Sequence, residues 1–166
     1  MTEILEASTP SDTTIMLRRT FTAPPRLVFA ALTEPALLMR WFGARGWHLV
    51  VCEVDLRVGG AWRFVSRGPG GVELGHGGVY REIDPPVRLS FTESYDDAWV
   101  PGEALVTNEL AGLPEGTLLT NTIRYPSREI RDMVLKTPMR RGATEAYERL
   151  DETLRKALSD KAKAKS

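Results

Sequence analysis

The stretch that most constrains this chain is its last long apolar stripe. Between residues 137 and 158, Met139, Ala143, Ala146, Tyr147, Leu150, Leu154, Ala157 and Leu158 recur at spacings of three and four, which draws one apolar face along a helix. Thr137 has the side chain of an N-cap, and Pro138 stands at the first helical position, where a missing N–H costs nothing. The opposite face is charged through Arg140, Arg141, Glu145, Glu148, Arg149, Glu152 and Arg155. At about 1.5 Å per residue this helix spans roughly 30 Å, the width of a small domain. Its N-terminal half is unusual, because Gly142 and Ala143 are small where a helix filling a sheet would carry bulk. An opening is expected there, and function with it.

Length and charge narrow the class. A chain of 166 residues with 42% apolar content, 27% charged residues and zero formal net charge reads as one soluble globular domain. A pI near 6.8 supplies no bulk field for phosphate backbones or acidic lipid, so nucleic acid and membrane surfaces are not expected partners. The lone Cys52 excludes an internal disulfide, and the first residues lack a basic segment followed by an apolar run, so no secretion signal is read. No run approaches the eighteen or so apolar residues of a membrane span. The expected compartment is the cytoplasm. Residues 1–13 read as a flexible polar arm, 14–158 as the domain, and 159–166, alternating Lys and Ala, as a fraying tail.

Between arm and helix the chain is mostly strand. Ile15, Leu17, Arg19 and Phe21 alternate with polar neighbours, so 14–22 is a first strand, ended by Pro24-Pro25. Leu27, Val28, Ala31 and Leu32 form the face of a short helix. Thr33 is expected to cap a second one, which runs through Trp41 and Phe42 and stops at Gly43. Strands are expected at 47–55, 60–67, 72–83, 87–95, 103–110 and 117–125, and the short breaks between them favour hairpins and hence a meandering antiparallel sheet. A short helix at 127–136, with Ile130, Met133 and Val134 inward, leads to the long one.

Several segments together resemble a known family. They are Phe21-Thr22-Ala23-Pro24, Thr33-Glu34-Pro35 with Leu38 and Trp41-Phe42-Gly43, the run from Cys52 to Phe64 with its Asp55-Leu56-Arg57-Val58-Gly59-Gly60 turn, Gly78-Val79-Tyr80-Arg81-Glu82-Ile83 before Pro85-Pro86, and Met139 with Gly142. They look like the START-like, helix-grip (SRPBCC) superfamily. Within it they resemble the branch named for the C-terminal domain of the activator of the heat shock protein 90 ATPase. The resemblance covers about residues 14–158. It implies an α+β helix-grip fold in which a curved antiparallel sheet, in β-α-α-β6-α order, wraps a long C-terminal helix; the strand count reaches the same order independently. Relatives commonly carry Trp where this chain has Ala143, and an aromatic where it has Leu32.

The candidate site is a pocket between sheet and helix. Its expected walls are Trp41, Phe42, Trp47, Trp62, Phe64, His76, Tyr80, Phe91, Met133, Met139, Gly142, Ala143 and Tyr147. Trp62 and Phe64 share one strand face by alternation, as core or as ligand wall. His76, flanked by Gly75 and Gly77-Gly78, is either a strand-edge histidine or sits where close backbone approach leaves room for a ligand. The glycines of the Asp55–Gly60 turn are expected at positive φ, with Asp55 and Arg57 fixing the turn. Asp96-Asp97 beside Trp99 reads as a solvated loop.

No catalytic motif is readable. The two histidines, His48 and His76, lie on different strands, no metal-ligand spacing includes Glu53 or Asp55, and nothing calls for a cofactor or metal. Three functions follow. The first is binding of an apolar, aromatic or acyl small molecule, by a monomer or homodimer. The second is a cyclase, dehydratase or hydrolase acting on a polyketide-like substrate, with His76 and Glu53 as the proton carriers to test; no convergent acid–base pair is visible for it. The third, implied by the branch's name, is a co-chaperone role, against which stands the lack of a partner-binding domain ahead of Thr14.

Overall fold

The computed structural model describes residues 4–97 and 100–164. Trp99, the first three residues of the arm and the last two of the tail lie outside the described residues. Among the described residues eight antiparallel strands form one sheet: β1 (Glu6–Ser8), β2 (Thr14–Phe21), β3 (His48–Val54), β4 (Ala61–Arg67), β5 (Glu73–Asp84), β6 (Arg88–Tyr95), β7 (Ala104–Leu113) and β8 (Gly116–Arg124). Their order is β1-β2-β8-β7-β6-β5-β4-β3, so β3 to β8 meander and β2 returns to pair with β8. Helices α1 (Pro25–Thr33) and α2 (Pro35–Trp41) connect β2 to β3, and α3 (Arg128–Leu135) precedes α4 (Met139–Ala164). This is the helix-grip arrangement.

The arm is not loose where it is described. Glu6, Ala7 and Ser8 pair with Arg18, Leu17 and Met16, and Leu5 is buried, so β1 adds an outer strand to the sheet. Nor does the last helix fray at Ser159, since it runs to Ala164. Thr137 does not cap α4; its hydroxyl donates to the Val134 carbonyl at 2.6 Å and closes α3 instead. Thr33 is likewise inside α1, with its hydroxyl donating to the Phe29 carbonyl, and Glu34 begins α2. In both cases a threonine found a carbonyl one turn back before it found an amide ahead.

Strand geometry follows from alternation. Ile15, Leu17, Arg19 and Phe21 face inward from β2; Leu119 and Asn121 do so from β8. Register slips after Leu49 in β3 and after Tyr80 in β5 are bulges, which bend and twist the sheet so that it can curl round α4. At the β3–β4 turn Arg57 Nε donates to Asp55 Oδ2 at 2.9 Å, as expected, but only Gly59 has positive φ (85°). Gly60 is glycine for another reason: a side chain there would collide with the Asp55 carbonyl.

On α4, Tyr147, Leu150 and Leu154 are buried and Phe21 meets Tyr147 edge-on at 5.9 Å. One opposite-charge contact crosses the interior, Asp151 lying 3.8 Å from Arg19, and along α4 Asp151 also accepts from Arg155 at 2.7 Å. Arg149, expected on the solvent face, turns instead to the loop after α2. Its Nη1 lies 2.9 Å from the carbonyl oxygens of both Gly43 and Trp47, with those of Ala44 and Phe42 at 3.3 and 3.4 Å, and its Nη2 donates to Arg40 at 3.2 Å. A cation is favourable there because α2 ends with its carbonyls unpaired. Arg149→Met keeps the stem and removes the donors, and is expected to cost about 1–3 kcal/mol. The check is urea unfolding with amide exchange at residues 44–47; unchanged values for both would show that the loop does not depend on this guanidinium.

Candidate functional site

A cavity of about 400 Å³ lies between the sheet and the first half of α4. Its position follows from side-chain size. From Leu150 onward α4 carries leucines into the core, whereas Met139, Gly142, Ala143 and Ala146 line the cavity, and a side chain added at Gly142 would meet nothing within 4 Å. The rest of the wall comes from α2 through Trp41 and Phe42, from β4 through Trp62 and Phe64, from β5 through His76 and Tyr80, from β6 through Phe91, and from Tyr147 on α4. Trp41 is fixed by its indole N–H donating to the Ala31 carbonyl at 2.9 Å, Trp62 by the equivalent bond to Thr92 at 3.1 Å. Ring contacts then chain Phe42 to Phe64 (5.1 Å), Phe64 to Trp62 (4.9 Å) and Trp62 to Phe91 (5.2 Å), an edge-to-face wall that leaves little freedom to collapse.

Two expected wall residues are elsewhere. Trp47 precedes β3, so strand alternation does not govern it; its indole covers Gly68 at the turn after β4. Met133 is 43% exposed, because Val134, one position on, takes the inward place at the cavity wall. Neither reading of His76 holds, since β5 lies between β4 and β6 with His76 buried, and the flanking glycines do not open room for a ligand. A side chain at Gly75 would strike Asp96, one at Gly77 the Trp62 carbonyl and one at Gly78 the Thr92 carbonyl, so the space they leave is filled by neighbouring strands. Asp96 is no free loop carboxylate, since Arg63 grips both its oxygens, at 2.6 and 2.5 Å, and holds its pKa below the usual range.

Beside the expected His76, the cavity contains polar groups that the sequence did not single out: Glu93, Asn108 and Asn121. His76 is 3% exposed and its Nδ1 is 3.1 Å from Glu93 Oε2, so a histidine and a carboxylate do converge here. Glu53 does not take part; it is exposed on β3. On the sheet floor Asn121 donates to Asn108 at 2.7 Å, the two being direct cross-strand partners. The readable sign was the face: Glu93 alternates with Phe91 and Tyr95, Asn108 with Val106 and Leu110, and Asn121 with Leu119 and Ile123. Burial pushes up the phenols of Tyr80, Tyr95, Tyr125 and Tyr147, so all four stay neutral at ordinary pH.

Other chemistry finds little support. Among the described residues no three metal-type side chains converge. Burial raises the Cys52 thiol to about 11, which makes it a poor nucleophile. Iodoacetamide at pH 8 is therefore expected to label Cys52 far more slowly in the folded protein than in urea, and equal rates would show an accessible thiolate.

An antiparallel sheet gripping one long helix over an aromatic-walled cavity defines a START-like helix-grip protein. Solved structures agree. A protein from Rhodobacter sphaeroides is 39% identical, with a TM-score of 0.85 over 90% of this chain and 97% of that one. A protein from Nitrosomonas europaea is 27% identical, with a TM-score of 0.81 over 91% and 99%. The structure titled an AHSA1 protein from Silicibacter pomeroyi is 25% identical, with a TM-score of 0.72 over 88% and 99%. Among curated proteins none matches. Residues 22–155 match the family described as Activator of Hsp90 ATPase homolog 1-like protein, and the chain belongs to that family.

The cavity predicts the effect of adding bulk at its roof. Ala143 lines an open space, so Ala143→Trp should fill it and keep or raise the unfolding midpoint, whereas Trp forced into a packed core costs about 1–3 kcal/mol or more. Thermal and urea unfolding decide the sign; a clear loss of stability would mean that the wall cannot accept the ring.

Proposed function

We propose that this protein binds an apolar small molecule, aromatic or acyl, in the cavity beneath the small-residue half of α4. One observation carries the reading: about 400 Å³ of space is walled by interlocked rings and roofed by Gly142, Ala143 and Ala146, which are too small to fill it. Buried apolar surface with few polar groups offers affinity without fine orientation, so dissociation constants in the micromolar to millimolar range are expected. A chemical-shift titration with planar aromatic and fatty acyl compounds tests this. Ligands should move resonances of Ala143, Ala146 and Tyr147 and change the emission of Trp41 and Trp62, while leaving Trp47 as an internal control. A panel that moves nothing on α4 removes the reading.

The His76–Glu93 pair supports a second reading, proton-transfer catalysis on a polyketide-like substrate. A carboxylate that holds Nδ1 leaves Nε2 to act as a base. If a turnover activity exists, His76→Ala in a protein that remains folded should eliminate it, and retained turnover would exclude the histidine.

A further inference from the structure

We propose that His76 selects the ligand, and that the ligand is a planar aromatic molecule bearing a hydroxyl that donates to Nε2 of this imidazole. The inference rests on the cavity being a ligand site and names what that site recognises.

The argument begins with the proton on the ring. An ionised carboxylate only accepts hydrogen bonds, so when the imidazole is neutral the 3.1 Å contact between Nδ1 and Glu93 Oε2 puts its proton on Nδ1 and leaves Nε2 an acceptor. The ring cannot turn away. Tyr95 stacks on it at 5.0 Å and 12°, Phe42 at 5.7 Å and 28°, and the edges of Trp62 and Phe64 close in at 5.3 and 5.8 Å. Among the described residues no hydrogen bond engages Nε2, although His76 lines the cavity. An unbonded acceptor that keeps some accessible surface in an otherwise apolar wall favours a donor on whatever enters.

Charge and shape narrow the donor further. A fatty acid would bring its carboxylate beside Glu93, like charge against like charge in a poorly solvated site, and it has no donor to offer. A phenol offers a donor without a formal charge. Its ring also suits walls made of Phe42, Trp62, Phe64 and Phe91, which present both faces and edges. The Asn108–Asn121 pair is the competing polar anchor. Asn108 stands opposite Leu89, four residues along β6 from Glu93, so the two anchors are roughly 13 Å apart along the sheet and one hydroxyl does not reach both.

Four probes test the assignment on the full chain by chemical-shift titration: 2-naphthol, its methyl ether 2-methoxynaphthalene, naphthalene and decanoate. Naphthol should bind roughly five- to tenfold more tightly than its ether, the worth of one hydrogen bond, and decanoate more weakly than naphthol. The nitrogen-15 resonance of His76 Nε2 should move with naphthol and stay in place with the ether. In His76→Phe, which keeps an aromatic ring, the naphthol-to-ether ratio should fall towards one. Equal binding of naphthol and ether to the unaltered protein overturns the proposal while leaving the cavity reading intact. A ratio that survives in His76→Phe moves the hydroxyl to Asn108–Asn121 and also overturns it. If that variant does not fold, the Nε2 resonance decides, and one that ignores naphthol refutes the assignment. If decanoate alone binds, the cavity reading stands and this inference is overturned; if none of the four probes binds, both fail.

Discussion

A sheet bent into a grip encloses a volume set by its curvature, while the single helix it holds can fill only what its own side chains reach. Everything distinctive here depends on that mismatch. In the C-terminal part of α4, Leu150 and Leu154 reach the sheet and the interior is close-packed. In the N-terminal part Gly142, Ala143 and Ala146 do not, and the space would close if the walls could fall inward. They are held apart by interlocking rings and by indole hydrogen bonds from Trp41 and Trp62 to backbone carbonyls. The loop after α2 is tied to the helix by Arg149, so the cavity's rim is fixed to its roof.

The polar content of the cavity follows the same economy. A histidine, a glutamate and two asparagines on inner strand faces would be costly in a solid core, and each is paired with another: His76 with Glu93, Asn121 with Asn108. Pairing satisfies one atom of each and leaves others towards the space. A cavity wall, unlike a packed core, tolerates that arrangement because an occupant or water supplies the missing partners.

Membership of the Activator of Hsp90 ATPase homolog 1-like family accounts for the scaffold, and the relatives share it over nearly their whole lengths. Function is carried by what each chain places within that scaffold. Here the roof is left bare at Ala143, and the floor formed by β5 and β6 sets His76 against Glu93.

Much of this was legible in the sequence. The three- and four-residue spacing from Met139 to Leu158 defined the helix and its bare half, two-residue alternation defined the strands, and Gly and Pro placements marked the turns, because each of these signals is local. Capping was less legible: Thr33 and Thr137 bond backwards, a choice between two nearby partners that sequence leaves open. Trp47 and Met133 were misplaced for a related reason, since a large apolar side chain just outside a strand, or beside Val134 on a short helix, packs on whichever neighbour the fold brings to it. The convergence of His76 with Glu93, and of Arg149 with the carbonyls after α2, joins residues 17 and more than 100 positions apart. Periodicity assigns each of them a face. Which partner stands opposite depends on strand order, on the bulge after Tyr80 and on the path of α4 across the sheet, and these the tertiary structure alone decided.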